Sequence, residues 1–384
     1  MGREGSQVLK KRWIWEQKNY PNFTYDRYII EKLYTQASYK QGKLSGYLSI
    51  LNKEKLDDFK EEAIIDETMS TSAIEGDYLK RESVRASIRK KLGIGDYRYE
   101  DTEHKTDNLV SIQFDINQNY TQELKIEKVF AWHAAIFPSG YSEGIKINVA
   151  DFRDEGEMNI VSSRGTSSEK LFYTAPPSDI LFDEVHSFLT WFNKTEDTLI
   201  KSAIAHLWFL VIHPFDDGNG RISRAIGDLV FSRIEKSSNS KLYSFSKEIN
   251  KNKKNYYKAL EATTGFKKKQ DPLDITTWLI WFLETFIESI NETLNKLTYI
   301  KIKTNFWDSH KDDNLNTRQQ KVLNKILDIG VNIFEGDLTK AKYISMSKAS
   351  SATATRDIKE LLDKKCIYQK ENTAGRGTKY IICT

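Results

Sequence analysis

The chain has 384 residues, of which 39% are hydrophobic, 12% aromatic and 29% charged, with a formal net charge of +4. This length allows two or three globular domains, and the small net charge gives no global signature of nucleic-acid or membrane binding. We expect no secretory signal and no membrane span, because residues 1–7 are polar and the best apolar run, residues 278–286, is short and contains Glu284. The only cysteines, Cys366 and Cys383, form no disulfide framework, which favours a reducing cytoplasm.

Helix-period patterns recur over most of the chain, which contains only six prolines, so we predict a mainly α fold. Residues 1–90 form a predicted helical N-terminal region that opens with an aromatic-rich stretch at residues 13–23. We interpret that stretch as a terminal segment packed on the core, with peptide binding as the alternative. A helical pattern at residues 56–75 ends at Gly76, a residue type that commonly follows a helix C-terminus.

The central region, residues 91–305, is also predicted to be helical. One break in the helical pattern, at residues 144–177, contains a predicted hairpin at residues 158–173 with a turn at Gly165. A long helix is predicted over residues 275–297. The hairpin is therefore the main non-helical element expected before the last eighty residues.

The last region, residues 306–384, differs in character. Helical patterns at residues 317–327 and 347–362 precede short strand patterns at residues 366–368 and 379–382. Helices followed by a small hairpin predict a winged helix-turn-helix domain.

The most informative stretch is residues 213–224, which reads His-Pro-Phe-Asp-Asp-Gly-Asn-Gly-Arg-Ile-Ser-Arg. Apolar helical runs lie on both sides, which predicts a tight loop between two buried helices. Gly218, Asn219 and Gly220 let the backbone turn sharply and approach a ligand. The backbone N–H groups at the start of the following helix then offer an anion site.

Charged side chains in the same stretch complete a predicted phosphate site. Arg221 and Arg224 lie three residues apart on one helix face, where two cations near the positive end of the helix dipole are unfavourable unless they clamp an anion. Asp217 can hold Mg²⁺ against phosphates, and His213 has the pKa range of a general base. The set predicts attack by a hydroxyl on a nucleotide phosphate, in a protein without a P-loop.

Residues 213–224 resemble, at every defining position, the Fic-family motif His-x-Phe-x-Asp/Glu-Gly-Asn-Gly-Arg-x-x-Arg. The resemblance implies a helical bundle with a β-hairpin flap, and transfer of AMP from ATP to a Ser, Thr or Tyr hydroxyl of a target protein, with Mg²⁺. It implies catalytic roles for His213, as the general base, and for Asn219. It implies that Phe215 anchors the loop in the core and that Asp217 binds the metal. The nucleotide phosphates would be bound by Gly218, Asn219 and Gly220, and the outer phosphates by Arg221 and Arg224.

Two further segments resemble parts of the family's nucleotide site. The hairpin at residues 158–173 is similar to the flap that aligns a target peptide, with Val161, Ser162 and Ser163 facing the nucleotide; an ordinary surface hairpin is the alternative. The Tyr256-Tyr257 pair resembles the pair that contacts adenosine, with Tyr257 as the nucleotide-binding residue. Seven residues after Tyr257, where some relatives carry Asn, this chain has Thr264.

Residues 71–76, Thr-Ser-Ala-Ile-Glu-Gly, resemble the inhibitory motif of Fic proteins, Ser/Thr-x-x-x-Glu-Gly/Asn. Glu75 is predicted at a helix C-terminus, where the dipole disfavours a carboxylate, so it should pair with a cation. Arg224 is the expected partner, in a bidentate pair that takes the place of the γ-phosphate. The resemblance thus implies an autoinhibited enzyme.

Several alternatives stay open at this stage. From residue 311 to 384 there are 14 Lys or Arg and 9 Asp or Glu, a surplus of 5 positive charges, which is compatible with DNA contacts by the winged helix but also with protein binding. The other hypotheses are removal of AMP, transfer of another nucleotide, and a DNA-binding regulator with a Fic sensor core. Homodimer formation is suggested by analogy alone.

Overall fold

The computed structural model describes most of the chain as two compact units, residues 1–291 and 292–384. One long helix runs across the boundary between them. Among the described residues, no helix is both long and apolar enough to cross a membrane. The ranges described are residues 13–48, 51, 53–93, 103–161, 171–235, 242–265, 271–330 and 334–383.

The first unit is mainly helical, as predicted. Its elements in chain order are α1 (Arg27–Leu48), α2 (Lys53–Ile74), α3 (Arg81–Leu92), α4 (His104–Gln118), α5 (Ile126–Ile136), β1 (Tyr141–Ser142), β2 (Ile145–Lys146), β3 (Asn159–Val161), β4 (Leu171–Thr174), α6 (Leu181–Lys194), α7 (Leu199–Ile212), α8 (Asn219–Ile234), α9 (Phe245–Lys251), α10 (Lys253–Thr264) and the start of α11 (Thr276–Ser309).

Helices α7 and α8 form the centre of the first unit. Nearly every side chain of α7 is buried, as expected of a helix that is apolar on all faces. Gly227 of α8 lies close to α7, where the Ser202 hydroxyl donates to the Gly227 carbonyl at 2.9 Å. Helices α4, α5 and α6 add apolar side chains to the same core. The loop between α7 and α8 is therefore fixed at both ends by buried helices.

The aromatic N-terminal segment packs on the core, which confirms the packing interpretation. Trp13 is 8% exposed and meets the Tyr173 ring edge-on, with the ring centroids 5.5 Å apart. The Trp15 indole N–H donates to the Thr174 carbonyl at 2.8 Å. Because Tyr173 and Thr174 belong to β4, this segment supports the base of the β3–β4 hairpin.

Helix α2 is an integral part of the first unit. The Glu67 carboxylate is buried and accepts hydrogen bonds from the Ser244 hydroxyl at 2.8 Å and from the Ser246 backbone N–H at 3.2 Å. Lys247 of α9 forms a salt bridge with Asp66 of α2, with Nζ and Oδ2 2.8 Å apart. These contacts attach α2 to the start of α9, so the end of α2 has a fixed position.

The two hairpins of the first unit are antiparallel, β1 with β2 and β3 with β4. The strands of the hairpin predicted at residues 158–173 are confirmed. Its turn at Gly165 lies in residues 162–170, outside the described residues.

The second unit has its own core, which includes Val322, Leu323, Leu361 and Cys366. After the end of α11 come α12 (Thr317–Ile329), an isolated bridge from Leu338 to Tyr380, α13 (Lys340–Ser347), α14 (Ser351–Asp363), β5 (Ile367–Gln369) and β6 (Tyr380–Ile382). Helices followed by a hairpin confirm the predicted order of elements, and the winged-helix assignment stays a prediction.

Candidate active site

Three backbone features shape the loop between α7 and α8. His213 ends α7 in the left-handed region, with φ 51° and ψ 56°, and Pro214 follows it. Gly218 precedes α8 with φ +84°, and a Cβ there would lie 2.7 Å from the Phe137 ring. The Asn219 amide accepts from the Phe215 N–H at 3.0 Å and donates to the Phe215 carbonyl at 2.8 Å. Asn219 therefore closes the loop, while its predicted catalytic role stays a prediction.

His213 is held as a neutral imidazole. Its Nδ1 lies 3.2 Å from the Leu210 carbonyl, which can only accept, so Nδ1 carries the proton and Nε2 keeps its lone pair. Burial is the main cause that lowers the pKa of His213 to about 4, and the Arg153 charge lowers it further. The side chain is thus in the base form at neutral pH.

Arg153 fixes the backbone around His213, a role that sequence reasoning missed. Its Nε donates to the His213 carbonyl at 2.9 Å, and its backbone N–H donates to the Pro214 carbonyl at 3.0 Å. Its Nη2 also donates to the carbonyl of Pro176, just after β4. The side chain is only 4% exposed, so one buried guanidinium joins the loop to the exit of the β3–β4 hairpin.

His133 supports the same loop from α5. Its ring stacks on Phe215, with centroids 4.1 Å apart and planes at 15°. Its Nδ1 accepts from the Ala150 N–H at 3.1 Å, so its Nε2 donates to the Asp217 carbonyl at 3.1 Å. Burial lowers the pKa of His133, which fits the neutral state that this pattern requires. His133 is therefore a core histidine whose two ring nitrogens both have partners.

Asp217 offers a carboxylate to the cavity beside His213. Its Oδ1 accepts from the Gly218 N–H at 2.6 Å, and its Oδ2 accepts from the Ser142 hydroxyl of β1. These bonds orient the carboxylate and leave it lone pairs for a hard cation. The carboxylate therefore has donor atoms that could hold a hard divalent cation.

The start of α8 is built for an anion. The Ile222 N–H makes the first bond of the helix, to the Gly218 carbonyl at 3.0 Å, so the amides of residues 219–221 cannot bond within the helix. Arg221 is buried, lies 4.8 Å over the Phe137 ring and approaches Asp77 at 4.0 Å. Burial lowers the pKa of Arg221, a cost that a bound phosphate would offset.

Glu75 pairs with Arg224, as the sequence predicted. Nη2 of Arg224 donates to Glu75 Oε1 at 2.8 Å, and Arg224 is only 3% exposed. Burial opposes the charge on Arg224, but the Glu75 carboxylate raises its pKa overall. A Cβ at Gly220 would collide with the Glu75 carboxylate, which places Glu75 directly over the first turn of α8.

The expected bidentate geometry of that pair is wrong. Arg224 gives one N–H to Glu75 and two to Thr71, whose hydroxyl accepts from Nε at 2.8 Å and whose carbonyl accepts from Nη2 at 2.9 Å. Nη1 of Arg224 is buried and has no hydrogen-bond partner among the described residues. Glu75 follows the last residue of α2, and Gly76 has φ +85°. The last turn of α2 therefore holds Arg224 by three contacts.

A cavity of about 600 Å³ joins these groups. Its lining includes Val161 of β3, Tyr257 and Thr264 of α10, and His213 and Asp217 of the loop. Burial raises the pKa of Tyr257 to about 12. Ser162 and Ser163 lie outside the described residues. Among the predicted site residues that the structure describes, those that line this cavity are Glu75, Val161, His213, Asp217, Asn219, Gly220 and Tyr257. Gly218, Arg221 and Arg224 do not line it, although Arg224 contacts Glu75, which does.

Two segments of the chain match models of known protein families. Residues 123–231 match the model of the Fic/DOC family, and residues 13–94 match a domain of unknown function (DUF4172). Over 56 residues the chain is 39% identical to a probable protein adenylyltransferase of Aquifex aeolicus, which covers 14% of this chain and 18% of that protein. The chain therefore spans about a fifth of the length of that curated relative.

One solved structure shares the fold of the chain at low sequence identity. A Fic family protein from Desulfovibrio desulfuricans superposes with a TM-score of 0.52 and 17% identity, over 91% of this chain and 96% of its own. A Fic domain containing signaling protein from Bacteroides thetaiotaomicron gives a TM-score of 0.48 and 17% identity, over 68% and 94%. The match at residues 123–231 shows that the central part of the chain is a domain of the Fic/DOC family.

Proposed function

We propose that this protein transfers AMP from ATP onto a Ser, Thr or Tyr hydroxyl of a target protein, and that Glu75 restrains the reaction. One observation carries the proposal. A neutral His213, the start of α8 and the Asp217 carboxylate line one cavity, and Glu75, which lines the same cavity, holds Arg224. The similarity to a probable protein adenylyltransferase of Aquifex aeolicus supports the same reaction class.

His213 would act as the general base. Its Nε2 takes the proton of the incoming hydroxyl as that oxygen attacks the α-phosphorus, and pyrophosphate leaves with the electron pair of the broken P–O bond. The amides of Gly220 and Arg221 would hold the phosphate oxygens, and Asp217 would hold Mg²⁺. When bound, Mg²⁺ neutralises phosphate charge.

Restraint by Glu75 follows from competition for Arg224. The carboxylate lies over Gly220 and on Arg224, where the outer phosphates of ATP would otherwise be clamped. A phosphate brought next to Glu75 would meet like charge and a cation already occupied. ATP would then bind weakly or with its α-phosphate out of line for attack.

The test is label transfer from α-³²P-ATP with Mg²⁺, with the purified full chain alone and with a cell extract. We expect weak labelling of protein by the wild type, strong labelling by Glu75→Gly, and none by a variant that combines Glu75→Gly with His213→Ala. Glu54→Gly is the matched control, because Glu54 is exposed in the first turn of the same helix. No label in any variant would reject ATP as the donor. Equal label in the wild type and in Glu75→Gly would reject the proposed restraint by Glu75.

Two related activities are separated by the same variants. Pre-labelled protein that loses AMP only when Glu75 is present would favour de-AMPylation, because the carboxylate beside the cavity could then orient water. Other α-labelled nucleotides in place of ATP would reveal a different donor. Retention of label, with ATP as the preferred donor, supports the transfer of AMP.

For the second unit we propose a winged helix that contacts DNA. The exposed face of α14 carries Arg356 and Lys359, and Lys348 is exposed just before it. Basic side chains on one helix face suit phosphate contacts. A mobility shift with duplex DNA should weaken with salt, and Arg356→Ala with Lys359→Ala should lower the salt slope by about two. No shift at low salt would reject DNA and leave protein binding.

A further inference from the structure

Three potential metal ligands converge in the second unit, away from the motif loop in sequence. His310 follows the end of α11, Asp313 lies three residues later, and Cys366 lies just before β5. The ligand atoms of these three residues all lie within 4.8 Å of one another. Cys366 is fully buried, and the side chains of His310 and Asp313 are 12% and 31% exposed. Spacings of 3 and 53 residues do not signal such a site in the sequence.

The geometry of the three groups is unlike that of a hydrogen-bonded relay. A relay places the two partners of a histidine on opposite ring nitrogens. Here the Asp313 carboxylate lies 2.6 Å from His310 Nδ1, and the Cys366 sulfur lies 3.6 Å from the same nitrogen. One ring nitrogen carries at most one proton and cannot serve both partners fully. A cation between the three groups would be bound by all of them.

The distances suit a tetrahedral ion. With metal–nitrogen and metal–sulfur bonds of about 2.0 and 2.3 Å, the nitrogen–sulfur edge of a tetrahedron is about 3.5 Å. The separation between Cys366 Sγ and His310 Nδ1 is close to this value, at 3.6 Å. The nitrogen–oxygen edge would be about 3.3 Å, so Asp313 would move outward by a rotation of its partly exposed carboxylate.

A second thiol lies next to this set. The β5–β6 register pairs Ile367 with Ile382, and the Cys383 N–H donates to the Cys366 carbonyl at 3.0 Å. Cys383 therefore lies directly opposite Cys366, and directly opposite residues of an antiparallel pair project to the same face. Cys383 is partly buried and both cysteines are free thiols. The Cys383 sulfur is not among the ligand atoms that all lie within 4.8 Å of one another, so a rotation of its side chain would have to bring it to the ion.

From this arrangement we propose that the second unit binds one zinc-class divalent cation through His310, Asp313 and Cys366, with Cys383 as the fourth ligand. One imidazole, one carboxylate and two thiolates are borderline-to-soft donors, which favour Zn²⁺ over Mg²⁺ or Ca²⁺. The ion would join the end of α11 to the β5–β6 hairpin. It would thus hold together segments that are far apart in the sequence.

The test uses Co²⁺ as a spectroscopic probe on the full chain, after the protein has been stripped with a chelator and reduced. We expect one equivalent of Co²⁺ to give intense tetrahedral visible bands and a thiolate charge-transfer band in the near ultraviolet, both removed by Zn²⁺. Co²⁺ on Asp217 would give neither, because that site offers oxygen ligands. Cys366→Ser should abolish the charge-transfer contribution of that thiol and weaken binding by about tenfold or more.

Three further variants keep the result interpretable if Cys366→Ser fails to fold. Asp313→Asn and His310→Gln, both at partly exposed side chains, should each weaken Co²⁺ binding by about tenfold or more, and Cys383→Ser should lower the charge-transfer intensity by about half. His104→Gln is the matched control, at an exposed histidine. Absence of a thiolate band in the wild type, or equal Co²⁺ affinity in His310→Gln and His104→Gln, would overturn the proposal. An unchanged band in Cys383→Ser would overturn the assignment of the fourth ligand.

Discussion

At the scale of single residues, His213 decides the pH dependence of the proposed reaction. Because burial lowers its pKa to about 4, its folded-state pKa lies below the usual 6.5 and the neutral base persists as the pH falls. We expect kcat/KM for labelling by Glu75→Gly to hold between pH 8 and 5 and to fall near pH 4. A base with an ordinary pKa would instead lose half its activity near pH 6.5.

A pH series of initial labelling rates at saturating Mg²⁺ makes this measurement. Circular dichroism at each pH separates loss of the base from loss of the fold. An acid midpoint near 6.5 in folded protein would contradict the buried, neutral state of His213.

Arg153 is a second single residue on which the proposed reaction should depend, although it does not line the cavity. Its three donations to His213, Pro214 and Pro176 position the base and the hairpin. In the Glu75→Gly background, Arg153→Lys should lower kcat by about a hundredfold, because one ammonium cannot span the carbonyls and the base would be misplaced. The KM for ATP should change little, since the phosphate-binding groups stay in place.

Steady-state labelling of Arg153→Lys, with the exposed Arg27→Lys as control, tests this positioning role. A raised KM with unchanged kcat would show that Arg153 acts on nucleotide binding instead. Thermal unfolding of both variants must accompany the kinetics, because Arg153 is buried.

Sequence reasoning could find the residues of the motif but not those that support them. One short sequence motif contains His213, Asp217, Arg221 and Arg224, and the type of each of these residues indicates its chemical role. Arg153 donates to backbone carbonyls that lie 23 and 60 residues away in the sequence. Because every residue has a backbone carbonyl, the residue types do not show which carbonyls accept these bonds. The same holds for Thr71, whose carbonyl takes one of the N–H groups expected to go to Glu75.

At the scale of secondary-structure elements, the proposed restraint by Glu75 would depend on the position of α2, which is anchored at Glu67. Replacing this buried carboxylate by an amide removes an acceptor from Ser244 and Ser246, so Glu67→Gln should lower the free energy of unfolding by about 1–3 kcal/mol. The last turn of α2 should also hold Arg224 less firmly. We therefore expect more labelling than in wild type but less than in Glu75→Gly.

Labelling and urea unfolding of Glu67→Gln beside the exposed Glu54→Gln measure both effects. Lower stability with unchanged labelling would show that the restraint depends on Glu75 alone and not on the position of α2.

The elements themselves were predicted where the pattern has clear ends. Helix α2 was expected over residues 56–75 and spans Lys53–Ile74, because Gly76 stops it. The predicted end of the long helix at residue 297 is wrong, since α11 continues to Ser309. No glycine or proline interrupts residues 298–309, so the helix continues after its apolar face stops being continuous.

At the scale of the whole first unit, the increase in thermal stability on ATP binding should depend on whether Arg224 is available to the phosphates. A ligand that binds the folded state stabilises it by about 2.7 kcal/mol when present at 100 times its Kd. In the wild type, Glu75 and Thr71 occupy the guanidinium, so ATP with Mg²⁺ should shift the unfolding midpoint only slightly. In Glu75→Gly the same concentration should shift it by several degrees.

Differential scanning fluorimetry over an ATP titration gives the measurement, with Arg224→Gln in the Glu75→Gly background as the control that removes the clamp. Equal shifts in the wild type and in Glu75→Gly would mean that Glu75 leaves ATP affinity intact. Restraint would then have to act through the alignment of the α-phosphate with His213, and the brake would change kcat without changing the affinity for ATP.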